Sequence, residues 1–156
     1  MSDQTRGRGI RTPEDVTAES PFTLPGFFSA LADGRLLGAR CTNCDTRLIP
    51  PRPACYACGS REVGIEEQPR DGQVVSYTEV RTPAPAFADL APFTIAVVEL
   101  ESGARLTGRL ETPYAETEIG MKVRLAVREP GEAELAMALD HESDWPIHVF
   151  EPTADR

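Results

Sequence analysis

Cys41-Thr42-Asn43-Cys44 and Cys55-Tyr56-Ala57-Cys58 are two Cys-x-x-Cys pairs separated by ten residues, and they use all four cysteines of the 156-residue chain. Each such loop points two sulfurs at one spot, and four thiolates together suit a tetrahedral ion such as zinc. Cys41, Cys44, Cys55 and Cys58 are therefore the candidate metal ligands, in a structural role. Two disulfides, a thioredoxin-like redox pair and a rubredoxin-like iron site would use the same residues. Disulfides need an exported chain, and the start Met1-Ser-Asp-Gln-Thr-Arg6 lacks the apolar run of a signal peptide. Spacing alone does not separate zinc from iron.

Working outward, the composition bounds the core. Aromatics make up 6% of the residues and charged groups 26%, so large core side chains are few. A tetrathiolate metal is worth about 10–16 kcal/mol in finger peptides, comparable to the whole stability of a small domain. The formal net charge of -9 argues against a protein that coats nucleic acid. From Arg35 to Arg61, however, Arg35, Arg40, Arg47, Arg52 and Arg61 face the single acid Asp45, and this stretch is expected to form a basic island. No run approaches the roughly 20 apolar residues needed to cross a bilayer. A cytoplasmic protein that does not enter membranes is the expectation.

Residues 1–20 are polar and glycine-containing and are expected to be disordered. Within 21–35, Leu24, Phe27, Phe28 and Leu31 fall near helical spacing, Pro25 suits a first turn and Gly34 an end, which predicts a short helix over Pro25 to Asp33. The ribbon is assigned to 36–63, with Pro50, Pro51 and Pro53 stiffening the link between the knuckles. From 64 to 150 the pattern changes to period-two alternation, the mark of half-buried strands. Runs lie around Val74 to Thr78, at Phe93, Ile95 and Val97, at Leu106 to Leu110, at Met121 to Val127, and at Leu135, Met137 and Leu139. Glu101-Ser102-Gly103 and Pro130-Gly131 read as turns. Five such strands suit a small closed barrel of the OB type, with an open antiparallel sheet as the alternative. Ile147, Val149 and Phe150 form a last short extended segment, and 151–156 a C-terminal tail. The fold class is thus mainly β: a short N-terminal helix, a rubredoxin-like zinc ribbon and a five-stranded OB-type barrel.

The ordered set Phe27-Phe28, Asp33-Gly34-Arg35-Leu36, Arg40-Cys41-Thr-Asn-Cys44, Pro50-Pro51-Arg52, Cys55-Tyr-Ala-Cys58-Gly59 and Gly72-Gln-Val-Val-Ser-Tyr77 resembles a known family. Pro92-Phe93, Gly103-Ala-Arg-Leu-Thr-Gly108 and Ile119-Gly120-Met121-Lys-Val123 continue the match, which spans nearly everything from Pro21 to Phe150. The family is that of zinc-ribbon plus OB-fold proteins that accompany thiolase-like enzymes and acyl-CoA hydratases. One departure is Asp45, where the family often has glycine; aspartate tolerates left-handed backbone better than most residues. The resemblance implies a non-catalytic accessory subunit in lipid metabolism that binds such an enzyme and helps hold a CoA thioester. Candidate contacts with the partner or CoA are Phe27 and Phe28, Arg47 and Arg52 of the basic island, and Phe87 and Leu90 in the proline-rich loop 81–92.

No catalytic residue is assigned. All four cysteines are claimed by the metal, and His141 and His148 read as ordinary histidines. Ser143, His141 and Asp144 lie too close in sequence for a triad to be more than chance. Glu66 with Glu67, and Glu99 with Glu101, read as a solvated face. The competing class is an OB-fold protein that binds single-stranded nucleic acid, but its stacking residues would be only Tyr77 and Phe93 on an acidic barrel.

Overall fold

The computed structural model describes residues 20–136, 138 and 145–153. The disorder expected for the first nineteen residues lies outside that range, as do His141, Ser143 and Asp144. Two compact units emerge, one running through Pro69 with the turn Ser102–Arg105, the other formed by Arg70–Glu101 and the chain from Leu106 onward.

In the first unit, helix α1 (Leu24–Ala32) starts where the Thr23 hydroxyl accepts the Gly26 N–H at 3.2 Å and Pro25 fills the first turn. It stops at Asp33, followed by Gly34 at φ 85°. Nine residues are too few for a stable isolated helix, so burial of Phe27 and Leu31 holds it. Strands β1 (Leu37–Cys41), β2 (Arg47–Leu48) and β3 (Val63–Glu67) form an antiparallel sheet in the order β2-β1-β3. Ala39 faces Leu48 on one side and Ile65 on the other. Ala39, Cys41, Leu48, Cys55 and Val63 make a small buried cluster with Phe22 against it. The ribbon therefore extends past Val63: residues 64–67, assigned from sequence to the barrel, pair with β1.

The second unit is a closed barrel. β4 (Asp71–Val80) pairs with β5 (Phe93–Leu100) and, at its start, with β7 (Lys122–Arg128). β8 (Ile147–Pro152) pairs antiparallel with β7 and parallel with β6 (Arg105–Leu110), giving the order β4-β5-β6-β8-β7. Val74, Ala96, Val98, Leu110, Val123, Leu125, Val149 and Phe150 fill the interior. Gly108 is required there, because a Cβ would stand 2.9 Å from the Phe150 ring.

Two further expectations are corrected. Leu135, the described residue of the run expected at Leu135, Met137 and Leu139, is in no strand: Glu132–Leu135 is a single helical turn, α2, anchored where the Glu134 carboxylate accepts the Gly131 N–H at 2.7 Å, and Met137 and Leu139 lie outside the described residues. The fifth strand is β8, and it takes Glu151 and Pro152 out of the expected tail by pairing them with Arg124 and Val123. In β5, Thr94, Ala96, Val98 and Leu100 point inward while Phe93, Ile95 and Val97 are half-buried on the other face. A narrow barrel already holding Phe150 takes the smaller set.

Candidate metal centre and docking surface

The two knuckles repeat the same backbone design. Asp45 N–H donates to Cys41 O at 2.8 Å and Gly59 N–H to Cys55 O at 2.9 Å; Cys41 N–H donates to Thr46 O and Cys55 N–H to Ser60 O. Asp45 at φ 68° and Gly59 at φ 77° occupy equivalent left-handed positions, so aspartate takes the place that glycine takes in the second knuckle. Its carboxylate is held there by Arg40 and Arg47, which also keep it below the usual carboxylate range.

The four sulfurs lie within 4.8 Å of one another. Across the knuckles, Cys41 and Cys58 sulfurs are 3.6 Å apart, as are those of Cys44 and Cys55. A tetrahedron of Zn–S bonds of about 2.3 Å has edges of about 3.8 Å, so the donor set fits such an ion in size and chemistry. Without a metal, burial pushes the Cys41 thiol up, while the Thr46 hydroxyl holds Cys44 at about 6 and the Asn43 amide lowers Cys58. A bound divalent cation favours the deprotonated form of all four.

The expected basic island is not free. Arg35 pairs with Glu67, Arg40 with Asp45, and Arg47 with Asp45 and Glu66 at 3.0 and 3.1 Å. The stretch ending at Arg61 stops short of Glu62, Glu66 and Glu67, and β3 brings Glu66 beside Arg47 of β2 and Glu67 beside Arg35, just ahead of β1. Five arginines thus meet four acids between Arg35 and Glu67, and a tetrathiolate makes the ribbon slightly acidic. Arg52 is exposed.

Of the apolar candidates, Phe27 is only 3% exposed and has no surface left for a partner; its ring meets Phe28 edge-on at 5.2 Å. Phe28 is half-buried. Phe87, on the 3-10 helix Pro85–Leu90, is 37% exposed and leans on Phe93. At the same end of the barrel, Leu90, Pro92, Phe93, Arg109, Tyr114 and Arg128 line a cleft of about 580 Å³. Arg109 and Arg128 both hold Glu134 there, lowering its carboxyl to about 2. Sequence reasoning missed this arginine pair because its carboxylate partner, Glu134, lay between a stretch read as a turn and a run read as a strand, with nothing local to point it at Arg109 or Arg128. It also missed Asn43 and Thr46, whose only sequence signal is a polar side chain beside a knuckle cysteine. Tyr77 packs on Tyr114 at 5.3 Å and Phe93 on Phe87, so neither is an open stacking platform for bases. His148 contacts Thr107 O at 3.0 Å. Among the described residues no helix is long and apolar enough to cross a membrane.

Fold and cysteine cluster define a zinc-ribbon protein with an appended OB barrel. Residues 28–64 match the ChsH2 rubredoxin-like zinc ribbon domain and residues 66–128 the ChsH2 C-terminal OB-fold domain. A "DUF35 domain-containing scaffold protein" of Methanothermobacter thermautotrophicus is 37% identical over 62% of this chain and 77% of its own length. A protein described in the same words from Methanocaldococcus jannaschii is 38% identical over 60% and 67%. Among solved structures, the Ltp2-ChsH2(DUF35) aldolase superposes with a TM-score of 0.62 at 34% identity, covering 81% of this chain and 91% of the matched one. A DUF35-family protein of unknown function from Sulfolobus solfataricus shares the fold, with a TM-score of 0.54 at 17% identity over 82% of this chain and 83% of its own. The chain belongs to the DUF35 (ChsH2-type) family of zinc-ribbon and OB-fold proteins.

Proposed function

We propose that this chain is a non-catalytic scaffold subunit that docks on a thiolase-like enzyme, an acyl-CoA acyltransferase or aldolase, in the cytoplasm. The observation that carries the reading is the likeness, over 91% of the matched chain, to the Ltp2-ChsH2(DUF35) aldolase. The archaeal relatives, described as scaffolds, support the role. In this reading Cys41, Cys44, Cys55 and Cys58 hold one zinc ion, which cross-links the knuckles and supplies no chemistry to a substrate. The barrel end around Phe87, Leu90 and the cleft is the contact surface for the enzyme, and Phe28 and Arg52 are secondary contacts. An acyl-CoA hydratase is the other partner class, and a CoA thioester is held at the assembled complex rather than by this chain alone.

The test is to mix the purified chain with a thiolase-like aldolase and, separately, an acyl-CoA hydratase, each encoded beside a family member. Light scattering would measure the assembly, and turnover would be followed with and without the chain. A defined complex whose turnover depends on the chain is expected with one of them. A chain that stays separate from both at tens of micromolar and alters neither turnover would refute the reading. Tight, salt-sensitive retention of single-stranded DNA would move it to the nucleic-acid class.

A further inference from the structure

The four sulfurs of the ribbon are not equivalent. Cys41 and Cys55 are buried at 0% and 3% exposure, whereas Cys44 and Cys58 are exposed. Every knuckle supplies backbone N–H donors: Cys41 receives them from Asn43 and Cys44, Cys44 from Thr46, Cys55 from Ala57 and Cys58 from Ser60. Among the described residues, only the exposed pair also has a non-cysteine side-chain partner. The Asn43 amide of the first knuckle reaches across to Cys58 at 3.4 Å, and the Thr46 hydroxyl lies 3.1 Å from Cys44.

That distribution has a physical consequence. A thiolate leaves a metal more readily where water or a competing ligand can reach it, so the Cys44–Cys58 edge is the open side of the site. A donor aimed at a thiolate sulfur spreads its charge, fixes its orientation and disfavours its swinging out. Such partners typically change metal affinity 10- to 100-fold. We infer that Asn43 and Thr46 are positioning residues that latch the open edge of the metal site, and that metal exchange proceeds through Cys44 and Cys58. This rests on the zinc assignment above.

The experiment uses the full chain loaded with zinc and challenged with the chromogenic chelator 4-(2-pyridylazo)resorcinol, reading the rate of zinc release. Asn43→Ala and Thr46→Val are each expected to release zinc about tenfold faster or more, while Thr46→Ser, which keeps the hydroxyl, stays at the wild-type rate. Thr42→Val is the control, because Thr42 sits in the same loop but donates to Glu62 O at 2.9 Å and touches no sulfur; it is expected to match wild type. Variants purified without zinc are compared by competition affinity instead, with the same ranking expected. Wild-type rates in Asn43→Ala and Thr46→Val would overturn the inference, as would equal acceleration in Thr42→Val, which would mark general loosening of the loop. A wild type that carries no zinc would overturn the metal assignment itself, a result distinguishable from the others.

Discussion

Stripping the metal is expected to unfold the ribbon and leave the barrel standing. The cluster beneath the knuckles holds two full-sized aliphatic side chains, Leu48 and Val63, each 1% exposed; Ala39, Cys41 and Cys55 are small. At about 1.5–3 kcal/mol each, the two aliphatics contribute roughly 3–6 kcal/mol, against about 10–16 kcal/mol for a tetrathiolate ion. The ion therefore stabilises the ribbon more than its apolar cluster does, and the sheet β2-β1-β3 should not survive its loss. The barrel has its own interior around Phe150, Val98, Leu125 and Val123, each 0–1% exposed, and does not use the cysteines. Hydrogen exchange read by mass spectrometry, before and after chelation under reducing conditions, separates the two. Amides of residues 37–67 should lose at least about a thousandfold in protection, some 4 kcal/mol at 1.4 kcal/mol per decade, while β4, β5 and β7 keep theirs. Retained protection across 37–67 in the metal-free chain would refute the structural role; simultaneous loss in the barrel would refute its independence.

Phe87→Ala should weaken binding of the partner enzyme about tenfold or more by calorimetry. Its exposed 37%, of an aromatic that buries roughly 200 Å², leaves about 75 Å² to cover, or about 2 kcal/mol at 25 cal/mol/Å². A lower melting temperature with unchanged affinity would assign the ring to the barrel instead. Arg128, the Gly131 N–H and Arg109 hold the Glu134 carboxyl at about 2, below its ordinary 4.5. Its contribution is therefore complete above about pH 4.5 and fades as pH falls towards 2. Glu134→Gln should destabilise the protein at pH 7 and match wild type near pH 2, and parallel stability curves across that range would contradict this. Gly108→Ala should cost about 1–3 kcal/mol through overpacking against Phe150 and His148, both within 3.1 Å of the new Cβ. An unchanged melting temperature would show that β8 shifts freely.

The cysteines, α1 and four of the five barrel strands were legible because their signals are local: spacing, a proline in the first turn with a glycine at the end, and alternation. β8 was read only as a short extended segment and not as the fifth barrel strand, because Val149 and Phe150 are adjacent yet both buried, at 2% and 0%, which breaks the period of two. That happens where the strand closes the barrel between a parallel and an antiparallel neighbour, a relation only the tertiary fold contains. Leu135 imitated a strand for the converse reason, since its turn is fixed by a carboxylate reaching Arg109 and Arg128 rather than by its own apolar pattern. The charge of the ribbon was misjudged because strand pairing sets Glu66 opposite Gly38 and Glu67 opposite Leu37, on the strand that neighbours Arg47, a neighbourhood no linear stretch displays.

Barrel closure by β8 also sets an order of events on the ribosome. The four cysteines and strands β1, β2 and β3 all precede the barrel, so with a metal the ribbon sheet can form while the rest of the chain is still being made. A nascent barrel extended through β7 lacks the strand that joins β6 to β7, and both edges offer unpaired N–H and C=O groups. Until β8 emerges, that half-built sheet exposes two unpaired edges that favour aggregation. Overproduction should therefore gain more from slowed translation or a holding chaperone than from added metal alone.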